Sequence, residues 1–236
     1  MALIIDIETV GLDFDSLDEI TQKSLTRWIE RQADTDELKF NVLFRDLKEG
    51  LGFSPLTGEI VAIGVFDTER NKGVVYFQAP DVEQADFSDA NITFKARTEK
   101  EMLVAFWQGV LKYKVFVTFN GRQFDLPFLM IRSAINKVKP SLNLMANRYL
   151  HFQTNRIKHI DLFDQLSFYG AVRRKGSLHL FCRAFGIKSP KEDGITGDDV
   201  GRLYRDKQYK EIAEYNSWDL IATNELYLRW MEFFQF

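Results

Sequence analysis

The N-terminal run Ala2-Leu3-Ile4-Ile5-Asp6-Ile7-Glu8-Thr9 sets the hardest condition on how this chain folds. Its branched apolar residues read as a buried strand, yet two acids sit inside it. Side chains alternate between the faces of a strand, so Asp6 and Glu8 project together while Ile5 and Ile7 project the other way. A buried carboxylate must be paired, protonated or metal-bound, because desolvating an isolated charge is costly. A divalent cation between the two would relieve both desolvation and mutual repulsion. The alternative is an edge strand with one wet face, on which acids cost nothing.

The rest of the chain can bury such a strand. With 236 residues, 45% of them hydrophobic, a full core forms without disulfides or a structural metal. Cys182 is the only cysteine, which excludes an intramolecular bridge and a thiolate zinc cluster. Met1 leads directly into the strand with no basic leader, and no apolar run approaches the ~18 residues of a spanning helix. The expectation is a soluble, cytoplasmic protein without membrane contact. The net charge of −3 hides an asymmetry. Residues 1–50 carry twelve Asp/Glu against six Lys/Arg, and residues 137–175 carry eight Lys/Arg against two Asp. A basic half of this kind suits a phosphate-tracking surface, and equally a solvated face.

Periodicity predicts an amphipathic helix over 15–33 and an irregular stretch over 34–58 ending in the turn Ser54-Pro55-Leu56-Thr57-Gly58. Strands are expected at Ile60–Phe66, Gly73–Phe77 and Val115–Phe119. Arg70-Asn71-Lys72-Gly73 reads as the connection between the first two rather than as a binding patch. A helix over 98–112 should start on Thr98, with Glu101 completing a capping box. Beyond Asp125 the pattern is helical, over roughly 126–137, 160–169, 177–185 and 208–234, with Ser177 as an N-cap and Gly186 as a stop. Strands early and helices late predict an α/β domain with a mixed central sheet and flanking helices.

Two further segments carry acids in suggestive settings. In Phe119-Asn120-Gly121-Arg122-Gln123-Phe124-Asp125-Leu126-Pro127 a turn follows a strand, and Asp125 opens a helix whose first turn tolerates Pro127. Asp125 alone is equally an N-cap. In Tyr215-Asn216-Ser217-Trp218-Asp219, Tyr215 and Asp219 are one helical turn apart and share a face. A tyrosine hydroxyl beside a carboxylate can orient a water, although any amphipathic helix can carry such a pair.

In that order, Asp6-x-Glu8, Asn120-Gly121-x-x-Phe124-Asp125 and Tyr215-x-x-x-Asp219 resemble the three exonuclease motifs of the DEDD (DnaQ-like) superfamily, in its tyrosine subgroup. The flanks Gly58-Glu59-Ile60-Val61-Ala62-Ile63-Gly64 and His159-Ile160-Asp161-Leu162 are similar to the exonuclease domain of family B DNA polymerases, so the likeness spans about residues 2–230. It implies a ribonuclease H-like fold and 3'-5' exonuclease activity on the 3' ends of single-stranded nucleic acid, DNA above RNA. Asp6, Glu8 and Asp219 would hold one metal, Asp6 would bridge to a second, and Asp125 would act on the second directly or through water. Tyr215 would orient the nucleophile, and Thr9, Asn120 and Phe124 would touch substrate. Two Mg²⁺ or Mn²⁺ ions fit this chemistry, since hydrolysis needs a hydroxide at neutral pH and charge neutralisation on two oxygens, and hard cations prefer carboxylates.

Arg173, Arg174 and Lys175 form a basic run between two predicted helices, which reads equally as a solvated loop, and its place between the second and third motifs of the resembled superfamily implies phosphate contact. Exposed phenylalanines, Phe124 above all, are expected to stack on bases. His159 and Asp161 are expected to form a structural hydrogen-bonding pair. The whole chain, 1–236, reads as one exonuclease domain with an insertion at about 13–50. No polymerase segment follows, so the chain is expected to act free-standing or with a protein partner in trans. The competing readings are a non-catalytic nucleic-acid-binding module or a protein-interaction module on the same fold, and another ribonuclease H-like nuclease.

Overall fold

The structure, a computed structural model, describes residues 1–174, 176–189 and 197–235. The chain opens with β1 (Ala2–Gly11), then α1 (Glu19–Ala33) and α2 (Glu37–Gly50). Four strands follow: β2 (Gly58–Asp67), β3 (Lys72–Phe77), β4 (Phe87–Asp89) and β5 (Ile92–Ala96). After them come α3 (Glu99–Gly109), β6 (Val115–Thr118), α4 (Asp125–Ile135) and β7 (Lys158–Asp161). The remainder is helical: α5 (Leu162–Leu166), α6 (Leu178–Phe185), α7 (Val200–Arg205) and α8 (Tyr209–Phe234). Among the described residues the strands form one sheet in the order β4-β5-β3-β2-β1-β6-β7. β1, β2 and β3 pair antiparallel, whereas β6 lies parallel to β1 and β7 parallel to β6. This mixed seven-stranded sheet with helices on its faces is an α/β architecture that agrees with the expected ribonuclease H-like fold. No described helix is long and apolar enough to cross a membrane.

The alternation along β1 decides what each face buries. Ala2, Ile4 and Val10 enter a core shared with Ile212, Tyr215, Leu220 and Leu226 of α8. Leu3, Ile5 and Ile7 enter the opposite core, with Met102, Leu103 and Phe106 of α3 and Leu126 and Leu129 of α4. Asp6 and Glu8 therefore face α8. β1 is a central strand, so the wet-edge reading of its acids falls away.

Local signals hold where they are strongest. Thr98 and Glu101 form the capping box of α3. Ser177 caps α6, and Gly186 ends it with a left-handed φ of 68°. The turn at Ser54 closes with Gly58 N–H donating to Ser54 O at 2.8 Å.

Other elements depart from the periodicity. Residues 37–50, expected to be irregular, are the helix α2, capped by Asp36 and burying none of its residues fully. It is held to its surroundings by contacts with Phe14: the Phe44 ring meets it edge-on at 5.0 Å, and Lys48 Nζ lies over it at 5.8 Å. Residues 13–50 thus form a helical hairpin. Its root is a close backbone approach, where a Cβ on Gly11 would lie 2.7 Å from Leu51 Cβ and 2.9 Å from Gly52 N. At the far edge, β4 and β5 are strands outside the expected set: β4 is only three residues long, whereas β5 carries a short apolar–polar alternation that buries Ile92 and Phe94. Within 160–169 the helix starts only at Leu162, because residues 158–161 are recruited as β7 beside β6.

Candidate functional site

α8 lies over β1 and β2 and brings the third motif onto the first. One carboxylate oxygen each from Asp6, Glu8 and Asp219 lie within 4.8 Å of one another. Gly64 of β2, opposite Asp6 in the ladder, lets the helix come this close. A Cβ there would stand 2.0 Å from Asn216 Oδ1 and 2.7 Å from Leu220 Cδ1. Asn216 Nδ2 donates to Asp6 Oδ2 at 2.7 Å.

The electrostatics are those of a cluster short of positive charge. Burial, followed by the charges of Asp219, Asp125 and Glu8, pushes the Asp6 carboxyl well above the usual range. Burial, then Asp219 and Asp125, do the same to Glu8, which is 8% exposed. Like charges held together disfavour ionisation until a cation joins them. Three carboxylates within one cation's reach are an oxygen-only donor set, which fits Mg²⁺ or Mn²⁺ and not a soft metal.

Asp125 stands beside this triad rather than in it. It is the first residue of α4 and caps nothing there, so the N-cap alternative is set aside. Its Oδ1 instead accepts the N–H of Ile7 at 3.1 Å, across 118 residues of chain. β6 stops pairing with β1 at Ile4, and Asp125 serves the strand beyond that point. Burial raises its carboxyl to about 7.

Tyr215 is buried against α8's own core, with its hydroxyl hydrogen-bonded to the Asp219 carboxylate. Burial and then the charges of Asp219, Glu8 and Asp6 drive its pKa far above a free tyrosine's. It remains a protonated donor at any physiological pH.

The loop that delivers Asp125 is organised by Asp161, which the sequence marked as part of a flank and as a hydrogen-bonding partner of His159. Asp161 Oδ1 accepts the N–H groups of Asn120 (2.9 Å) and Phe163 (3.0 Å), and Oδ2 accepts that of Arg122 (2.9 Å). Asn120 adopts a left-handed φ of 61° within this clasp. The expected His159–Asp161 pair does not form. His159 Nε2 meets Thr118 Oγ1 at 2.8 Å and its Nδ1 faces Arg122 Nη1 at 3.4 Å, while the Asp161 carboxylate is taken up by the three backbone donors of the clasp. An acid ending a strand just before a helix was the one available signal for Asp161's capping role.

The expected substrate contacts are more scattered. Thr9 Oγ1 donates to Gly52 O at 2.7 Å, tying the end of β1 to the root of the α1–α2 hairpin. Phe124 is half-buried rather than exposed, packed against Phe128 with ring centroids 5.4 Å apart and against the exposed Phe53 at 6.5 Å. Its place just before α4 draws it under the core of that helix. Arg173 and Arg174 are exposed in the turn between α5 and α6, and Lys175 lies outside the described residues.

A family described as a predicted 3'-5' exonuclease related to the exonuclease domain of PolB matches residues 60–235. That stretch includes Asp125, Tyr215 and Asp219, and leaves out β1. The chain is 25% identical over 139 residues to DNA polymerase 1 of Saccharolobus solfataricus, covering 54% of this chain and 15% of that protein. It is 24% identical over 196 residues to the catalytic subunit of DNA polymerase epsilon from Emericella nidulans, covering 80% and 8% respectively. The structure of the family B DNA polymerase from the archaeon Pyrobaculum calidifontis aligns over 98% of this chain and 24% of that one, with a TM-score of 0.59 at 15% identity, a likeness of fold. The chain spans under a quarter of the length of each of these relatives.

Proposed function

The chain belongs to the family of predicted 3'-5' exonucleases related to the exonuclease domain of PolB, and we propose that it removes nucleotides from the 3' end of single-stranded nucleic acid, DNA above RNA, by a two-metal-ion mechanism. The observation that carries this reading is the meeting of Asp6, Glu8 and Asp219, from chain ends some two hundred residues apart, in one cluster with Glu8 buried and the two aspartates half-buried. A stable fold does not need three acids there, and a divalent cation does.

On this reading Asp6, Glu8 and Asp219 hold one cation, and Asp6 with Asp125 holds the other. Such ions supply a hydroxide at neutral pH and offset charge on the attacking and leaving oxygens. Tyr215 keeps its proton and donates to Asp219, so its hydroxyl fixes that carboxylate and offers an oxygen lone pair to orient a water. The Asp161 clasp holds Asn120 and Arg122 in the loop before Asp125, and Asn120 with the adjoining Phe124 meets the terminal nucleotides. Thr9 borders the same end of β1, and Arg173, Arg174 and Lys175 track phosphates without reading bases. Residues 1–236 act as one exonuclease unit, with the α1–α2 hairpin as an insertion and a surface open to a protein partner in trans.

The test is hydrolysis of a strand labelled at its 3' end, in DNA and RNA versions, with Mg²⁺, with Mn²⁺ and with chelator. Stepwise loss of 3' nucleotides that stops on chelation is expected, faster on DNA. A folded chain that binds single strands but cuts neither with either metal would overturn the enzymatic reading in favour of a binding module.

A further inference from the structure

Asn216 lies inside the third motif, between Tyr215 and Asp219, and has no part in the motif's assigned chemistry. It is fully buried, at 0% exposure. The nitrogen end of its amide donates to Asp6 Oδ2 at 2.7 Å. The oxygen end finds no hydrogen-bond donor among the described residues. It points instead at Gly64, lying 2.0 Å from where a Cβ would be, which places it along a Cα–H of the residue opposite Asp6. A Cα–H is a weak donor, and an amide oxygen buried against that alone is poorly satisfied. Turning the amide over would set its oxygen against the Asp6 carboxylate, acceptor against acceptor. One orientation is therefore fixed.

A leucine of similar size would fill the space without an unsatisfied oxygen, so what asparagine adds is the donor to Asp6. A lysine or arginine would also hold Asp6, but its charge would take the place of the cation. An amide orients the carboxylate and leaves the full negative charge of the cluster in place.

We propose that Asn216, seated on Gly64, is a positioning residue for the metal centre: it engages one oxygen of Asp6 so that the other faces Glu8 and Asp219. The proposal rests on reading that cluster as a metal site. Of the three acids, Asp6 is the one assigned to both ions, so its orientation matters most. Gly64 is part of the device, because any side chain there displaces the amide.

The experiment measures Mn²⁺ binding without nucleic acid, by calorimetry and by the loss of the free-ion EPR signal. It compares the wild-type chain with Asn216→Leu and Gly64→Ala, and follows urea unfolding of the metal-free proteins. Groups that orient metal ligands are typically worth about 10–100-fold in affinity. Asn216→Leu should weaken Mn²⁺ by that factor while the metal-free chain stays as stable as wild type or more so. Gly64→Ala should reproduce the loss of affinity. If Asn216→Leu fails to fold, Asn216→Ala, which also lacks the donor, carries the comparison. Mn²⁺ affinity equal to wild type in a folded Asn216 variant overturns the positioning role while the metal reading stands. Absence of Mn²⁺ binding by the wild-type chain itself overturns the metal reading, and the proposal with it.

Discussion

Glu8 on β1 and Glu99 at the start of α3 are buried to the same degree, 8% and 7% exposed, and are opposites in every other respect. Glu99 is surrounded by donors. Arg132 reaches it with Nε at 2.8 Å and Nη2 at 2.7 Å, Asn136 Nδ2 at 2.8 Å and the Ile60 N–H at 2.9 Å. Glu8 has acids for neighbours: Asp219 and Asp125 act on it most, after burial. The first carboxylate is satisfied within the fold and clasps α3, α4 and β2 together. The second sits among like charges that a cation would offset. Burial of an acid does not mark a functional site; burial without counter-charge does.

The comparison breaks most visibly on activity. Asp6→Ala or Asp219→Ala should reduce 3' hydrolysis to background, while the metal-free chain remains as stable as wild type or gains, since like-charge repulsion is relieved. Turnover close to wild type in Asp219→Ala would remove the cluster from the mechanism. The mirror experiment is Arg132→Leu, which leaves Glu99 buried without its ion pair. A loss of about 3–5 kcal/mol in urea unfolding is expected, with turnover per folded molecule unchanged. Equal stability would mean that Glu99 is no better satisfied than Glu8.

Tyr215→Phe keeps the ring in its core and removes the hydroxyl. Single-turnover rates at saturating Mg²⁺ should fall by roughly 10²–10⁴, the range for a positioned proton-handling group. An unchanged rate would leave Tyr215 as packing.

A smaller effect sharpens the electrostatic half of the contrast. Asp125, held at about 7 against an ordinary 3.8, keeps a proton in the metal-free native state that the unfolded chain has lost. Its contribution is fully present below pH 3.8 and is lost as pH rises to about 7. Asp6 and Glu8 act with the same sign. Metal-free stability should therefore fall across this window, Asp125→Asn should shrink the slope, and saturating Mg²⁺ should abolish it. A metal-free stability that rises with pH through this range would contradict the shift. The weakest expected effect is at the surface, where replacing Arg173, Arg174 and Lys175 with Ala should lower single-strand affinity and flatten its salt dependence without changing turnover of bound substrate. An unaltered salt slope would move the substrate path elsewhere, first to Lys137 and Lys139.

What the sequence determined by itself is local in origin. Period-2 alternation puts Asp6 and Glu8 on one face, helical spacing puts Tyr215 beside Asp219, and Thr98 with Glu101, or Ser177 with Gly186, bound their helices. Each of these signals acts within a few residues, so it survives without the rest of the chain. α2 and β7 were not legible for the complementary reason: α2 buries nothing fully, and the four residues of β7 become a strand only because β6 offers them an edge. The site divides in the same way. Its acids are readable as candidates, but their meeting depends on the register that sets Gly64 opposite Asp6, and on the missing side chain there that lets α8 descend. Asn216 has no meaning until that contact exists. Asp125 likewise becomes a partner of Ile7 only because β6 ends its pairing short of it. Hydrogen-bond and charge partners 118 or 210 residues away are fixed by packing, which no periodicity within one segment encodes.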